Sequence, residues 1–122
     1  MSDGYWGYHA MFDCAECDLE AITNPDTIYD FIQELVEQIE MTAYGQPVIA
    51  HFATHDPTKA GYSFIQMIET SNISGHLVDS NGDGYIDVFS CKPFNTTVVE
   101  DVIDKYFNPK RVRLNFVTRS AG

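Results

Sequence analysis

Glu69-Thr70-Ser71-Asn72-Ile73-Ser74-Gly75-His76-Leu77-Val78, then Asp79-Ser80-Asn81-Gly82-Asp83-Gly84, then Tyr85-Ile86-Asp87-Val88-Phe89-Ser90-Cys91, is the stretch that decides the fold. Asn81-Gly82 and Asp83-Gly84 are turn signals, because these residues accept the backbone angles of a tight hairpin. Asn72–Val78 on one side reads as a strand. On the other side Tyr85, Asp87 and Phe89 alternate with Ile86, Val88 and Ser90. A period of two sends alternate side chains to opposite faces of a strand. With Tyr62–Ile68 just upstream, three consecutive strands are expected to form an antiparallel meander. The same stretch holds Ser71, His76 and Cys91: a candidate nucleophile, base and thiol proton donor.

Upstream, Val48–Phe52 reads as a further strand, followed by a loop over His55–Gly61. Gly45-Gln46-Pro47 ends a helix that begins at Asn24-Pro25, with asparagine as the cap and proline at the first helical position. Its apolar residues Ile28, Phe31, Ile32, Leu35, Val36 and Ile39 form one buried stripe, with Asp30, Glu34, Glu37 and Glu40 on other faces. Residues 5–14 read as the opening strand, and 15–24 as a connection. Downstream, Lys92–Thr97 is a loop. Val98, Val99, Val102, Ile103 and Tyr106 mark a second amphipathic helix ended by Asn108-Pro109, and Arg111–Thr118 closes as a strand. The order β-α-β-β-β-β-α-β predicts an α+β fold: a two-layer sandwich with a mostly antiparallel sheet and two helices on one face. One domain is expected over residues 1–122, since the chain has the length of an ordinary domain and no linker-like stretch.

Composition narrows the function. With 18 acidic and 7 basic residues the formal charge is −11, which argues against nucleic acid and anionic lipid as partners and suits a small cationic or zwitterionic substrate. No apolar run reaches the roughly 18 residues that span a bilayer. Met1-Ser2-Asp3-Gly4-Tyr5-Trp6 lacks the basic and apolar pattern of a signal peptide, so a cytoplasmic protein is expected. The aromatic content suggests that a dimer shields the open sheet face.

Single motifs decide little. Cys14-Ala15-Glu16-Cys17 is a lone CxxC that reads as ordinary reduced cysteines or as a metal or redox pair, and no second motif completes a zinc site. Asp79–Asp87 has the early oxygen spacing of a calcium loop, but Ser90 stands where the bidentate Glu belongs, so a plain β-turn is the simpler reading and no metal is expected. Taken one at a time, Cys91 and His76 fit structural roles as well as chemical ones. Ser71 sits in no nucleophile elbow.

Read in register, the chain resembles the short bacterial and archaeal form of the S-adenosylmethionine decarboxylase family over about residues 7–113. The likeness lies in Gly7-Tyr8-His9-Ala10 with Glu16-Cys17-Asp18, Ser63, Ser71-Asn72-Ile73-Ser74-Gly75-His76, Ile86-Asp87-Val88-Phe89-Ser90-Cys91 and Pro109-Lys110-Arg111-Val112. The spacings from Ser63 to Ser71, Ser71 to His76 and His76 to Cys91 all fit that family.

The resemblance implies a pyruvoyl group made from Ser71 by self-cleavage between Thr70 and Ser71, giving a β chain of residues 1–70 and an α chain of 71–122. It assigns processing to His76, processing support to Ser63, and protonation of the product to Cys91. The pyruvoyl ketone would form a Schiff base with S-adenosylmethionine, in a homodimer of processed protomers feeding aminopropyl groups to spermidine biosynthesis. Phe52 and Tyr62 are candidates to stack on adenine, and Asp79 is the acid nearest the family's substrate-binding glutamate. The chain departs from the family pattern at Thr70, where Glu is usual, at Asn72, where His is usual, and at Leu77-Val78-Asp79-Ser80, where Thr-Trp-Pro-Glu is usual. Those departures keep two alternatives open: an arginine or ornithine decarboxylase using the same chemistry, and an unprocessed, non-catalytic homologue.

Overall fold

Asn24 and Pro25 start the long helix as the sequence predicts. The Asn24 side-chain oxygen accepts the Asp26 backbone N–H at 2.9 Å, and proline at the first position needs no hydrogen-bond partner. In the computed structural model, which describes residues 4–122, the elements run β1 (Gly7–Ala15), α1 (Leu19–Ile22), α2 (Pro25–Gln38), β2 (Val48–Phe52), β3 (Gly61–Ile68), β4 (Ser71–Val78), β5 (Gly84–Ser90), α3 (Thr96–Phe107) and β6 (Arg111–Arg119). Met1–Asp3, the start of the stretch read for a signal peptide, lie outside the described residues. No helix among the described residues is long and apolar enough to cross a membrane.

The six strands form one antiparallel sheet in the order β2-β3-β4-β5-β1-β6. The expected meander is present and extends to β2. The first strand then inserts between β5 and the last strand. Alternation gives the sheet two unlike faces. Phe12, Phe64, Ile73, Leu77, Ile86 and Val88 are buried under the helices. The other face has no helix over it, and Val48, Phe52, Ile65, Met67, Tyr85 and Val117 are exposed there.

The two expected helices are joined by a third. The stretch 15–24, read as a plain connection, contains the single turn α1, capped by the Asp18 side chain accepting the Glu20 N–H at 3.0 Å. Four residues are too short for an apolar periodicity to register. All three helices pack on the core face, and Phe31 of α2 joins the layers. Its ring lies 4.6 Å from Phe107 of α3 and 6.1 Å, edge-on, from Phe64 of β3. Glu34 ties the same two helices at the surface by accepting from Lys105 Nζ and the Tyr106 hydroxyl, and these two donors hold its carboxyl below the usual range.

The Asp79–Gly84 turn is closed by its own side chains. Asn81 Oδ1 accepts the Asp83 N–H, and Asp83 Oδ1 accepts the Glu16 N–H. These contacts tie the turn to the end of β1. Cys14 and Cys17 lie buried beside it as free thiols. A hydrogen bond between them pushes the Cys14 thiol up and draws the Cys17 thiol down.

Two glycines mark where the sheet is tightest. A Cβ on Gly61 would fall 1.6 Å from the Leu77 carbonyl oxygen, and one on Gly75 would fall 2.6 Å from the Phe64 ring. Gly75→Ala is therefore expected to push Phe64 off β4 and cost about 1–3 kcal/mol of stability. Thermal denaturation checks this: a melting temperature equal to that of the native chain would refute the contact.

Candidate functional site

The turn Glu69-Thr70 joins β3 to β4 with Ile68 paired opposite Ser71. Ser71 in turn pairs with Ser90 of β5, which brings Cys91 beside the Thr70–Ser71 peptide bond. The Cys91 N–H donates to the Thr70 carbonyl oxygen at 3.0 Å. Asn72 Nδ2 donates to Ser71 Oγ at 3.2 Å. The hydroxyl of Ser71 thus sits next to a carbonyl already polarised by a backbone donor. The Cys91 side chain is an exposed free thiol next to Gly7, where an added Cβ would lie 3.7 Å from Cys91 Cα.

His76 lies elsewhere. It is five residues along β4 from Ser71, and at about 3.3 Å per residue that is roughly 16 Å. An odd offset also turns it to the bare face of the sheet. There it pairs across β3 with Ser63, whose hydroxyl lies 2.6 Å from His76 Nδ1. His76 Nε2 lies 2.6 Å from the Lys59 carbonyl oxygen. A carbonyl only accepts, so Nε2 carries the proton, and in the neutral ring Nδ1 accepts from Ser63. The ring is thereby held as an oriented base. The chain brings Ser71 together with Cys91, and Ser63 together with His76. It does not bring the two pairs together, because proton transfer requires about 3 Å.

One of the two pairs lines a hollow. The Ser63–His76 pair lines one of about 470 Å³ with Phe52, Tyr85, Asn81 and Asp83. A second, of about 490 Å³, is lined by Trp6, Phe89 and Arg119 at the end of the sheet where Cys91 lies. In it the Trp6 and Phe89 rings are 5.9 Å apart, and the Arg119 guanidinium lies 5.0 Å from the Phe89 ring centroid. On the same face burial pushes the Asp87 carboxyl up, an effect partly offset by His9.

Of the sequence-predicted substrate residues, only Phe52 lines either hollow. Tyr62 faces the helix side, edge-on to the His51 ring at 5.1 Å. Asp79 is engaged by His51, with Oδ2 at 2.6 Å from Nε2. Trp6 and Phe89 went unrecognised in sequence, although Phe89 stands two residues before Cys91. Nothing local signals that Trp6 meets it, because the meeting depends on β1 inserting beside β5.

The sequence pattern of the family described as S-adenosylmethionine decarboxylase matches residues 8–120. The crystal structure of the adenosylmethionine decarboxylase from Aquifex aeolicus VF5 superposes with a TM-score of 0.81 at 22% identity, covering 97% of this chain and 93% of that one. No curated protein matches the sequence. A likeness at that identity supports the fold, while the match over nearly the whole length fixes the lineage: this chain belongs to the S-adenosylmethionine decarboxylase family.

Proposed function

We propose that the protein is a pyruvoyl-dependent decarboxylase of S-adenosylmethionine that matures by cutting itself between Thr70 and Ser71. The observation that carries this reading is the Cys91 N–H on the Thr70 carbonyl, beside the Ser71 hydroxyl. In the first step Ser71 Oγ adds to that carbonyl, the Thr70–Ser71 C–N bond breaks, and an ester and a free amine result. Negative charge on the Thr70 oxygen is met by the Cys91 N–H, as in an oxyanion hole. Loss of the Ser71 α-proton to a base then expels Thr70 as a carboxylate. The enamine left on residue 71 takes up water and releases ammonia, which leaves a ketone at the new N-terminus.

The residues present suit that group: a serine in a strand end, a polarised carbonyl before it and a thiol next to it. A pyruvoyl ketone supplies the electron sink that draws in the electrons released as CO₂ leaves. Cys91 Sγ gives a proton to the substrate α-carbon. Trp6 and Phe89 supply aromatic faces for adenine, and the acidic chain suits a sulfonium cation. The decarboxylated product is the aminopropyl donor for spermidine.

The base is the oriented His76 of a second copy. The bare sheet face supports this, since Ile65, Met67 and Phe52 are exposed on it and the Ser63–His76 pair opens onto it. Apposing two such faces so that His76 of one copy reaches the start of β4 in the other brings Ser63, His76 and Phe52 to the exposed Cys91 and the Thr70–Ser71 bond at that strand end. The working form is then a homodimer of processed protomers.

Denaturing mass spectrometry of the purified protein is expected to show chains split between Thr70 and Ser71, with Ser71→Ala remaining whole; a native chain that stays intact would end this reading. Labelled CO₂ is expected from S-adenosylmethionine and not from arginine or ornithine. Cys91→Ala should still be cut but lose about 100-fold or more in turnover, the ordinary worth of a positioned acid. Ser71→Ala and His76→Ala should each fail to cleave alone. When the two are unfolded and refolded together, the His76→Ala chain should be cut by its partner's histidine. Persistence of the uncut chain in the mixed dimer would place the base within one protomer.

A further inference from the structure

Ser90 is fully buried, yet its hydroxyl is not spent on its own strand. It accepts the Lys92 N–H at 2.9 Å and lies 2.7 Å from Thr70 Oγ1. Thr70 Oγ1 lies 3.3 Å from Met41 Sδ, and Ser90 Oγ lies 3.7 Å from the same sulfur. Each hydroxyl has one proton, and the direction that uses the shorter contact to sulfur runs Lys92 N–H to Ser90, Ser90 to Thr70, Thr70 to Met41. The chain of bonds leaves Thr70 no free hydroxyl proton and fixes its χ1, which in a β-branched residue also fixes how the side chain crowds the backbone.

We propose that Ser90 is a positioning residue for self-cleavage, holding Thr70 so that its carbonyl stays on the Cys91 N–H while Ser71 attacks. Residues 90 and 91 grip Thr70 at two points, the side chain through Ser90 Oγ and the carbonyl through the Cys91 N–H. With one point removed, Thr70 turns about the other. The clamp also gives a physical reason for the threonine before the cut bond: its hydroxyl is the handle that the buried serine holds. The proposal rests on the self-cleavage reading above and adds a residue outside the serine, histidine and thiol of that reading.

The test is a time course of cleavage of the full-length precursor, followed by denaturing mass spectrometry, for the native chain, Ser90→Ala, Ser90→Thr, Thr70→Val and the Ser90→Ala/Thr70→Val double variant. Ser90→Ala is expected to slow cleavage about tenfold, the worth of one hydrogen bond in a good setting. Ser90→Thr, which keeps the hydroxyl, should restore most of the rate, a rescue that a purely structural role does not require. Thr70→Val, isosteric and at the partly exposed end of the contact, should slow cleavage by the same factor and serves if Ser90→Ala folds poorly. The double variant should be no slower than either single one. Native-rate cleavage in Ser90→Ala or in Thr70→Val, or losses that multiply in the double variant, would overturn the clamp. A native chain that never cuts would overturn the self-cleavage reading itself, and the clamp with it.

Discussion

The register of β4 is the constraint on which the rest depends. Glu69-Thr70 is a two-residue turn, so Ile68 and Ser71 must face each other, and every later pair follows from that one. Ser63 meets His76, and Gly75 meets Phe64, whose ring needs the missing Cβ. On the other edge of β4, Ser71 meets Ser90. A slip of one residue would bury His76 and expose Ile73 and Leu77, both fully buried. The hydrophobic face therefore enforces the pairing on which the proposed chemistry rests.

The same strand geometry separates what it positions. A strand is stiff, and five residues of it hold Ser71 and His76 too far apart, and on opposite faces, for either to touch the other. Within one chain the fold thus offers two half-sites: a serine with a polarised carbonyl and a thiol, and a serine–histidine pair oriented by the Lys59 carbonyl. The bare face onto which the serine–histidine pair opens carries exposed Ile65 and Met67 rather than a wholly polar surface. Charge is also unevenly spread: all three arginines lie in β6, Arg119 at the end of the sheet where Trp6 and Phe89 gather, and Arg111 and Arg113 at the opposite end beside Ala15 and Asp13.

Much of the fold is legible in sequence because its signals are local. Asn24-Pro25 and the stripe from Ile28 to Val36 fix α2, and Asn108, which adopts a left-handed φ of 44°, ends α3. Alternation in Tyr85–Ser90 tells which side chains share a face. What stays hidden is non-local or very short. The single turn α1 leaves no periodicity. The position of β1 between β5 and β6 follows from packing, so the meeting of Trp6 with Phe89 has no sequence signature. Tyr62 and Phe52 look alike as aromatic residues at strand ends, but the face each takes depends on pairing with β3 and β4, and only Phe52 reaches a hollow.

The sequence by itself determined the class of fold, the family resemblance and the candidate groups, because strand alternation, helix caps and the spacings among Ser63, Ser71, His76 and Cys91 are written along one chain. The tertiary structure decided which of those groups meet. Cys91 reaches the Thr70 carbonyl only because β5 lies beside β4, and His76 turns from Ser71 toward Ser63 because an odd number of strand residues reverses the face. Spacing in sequence counts residues, whereas proximity in a sheet depends on register and parity.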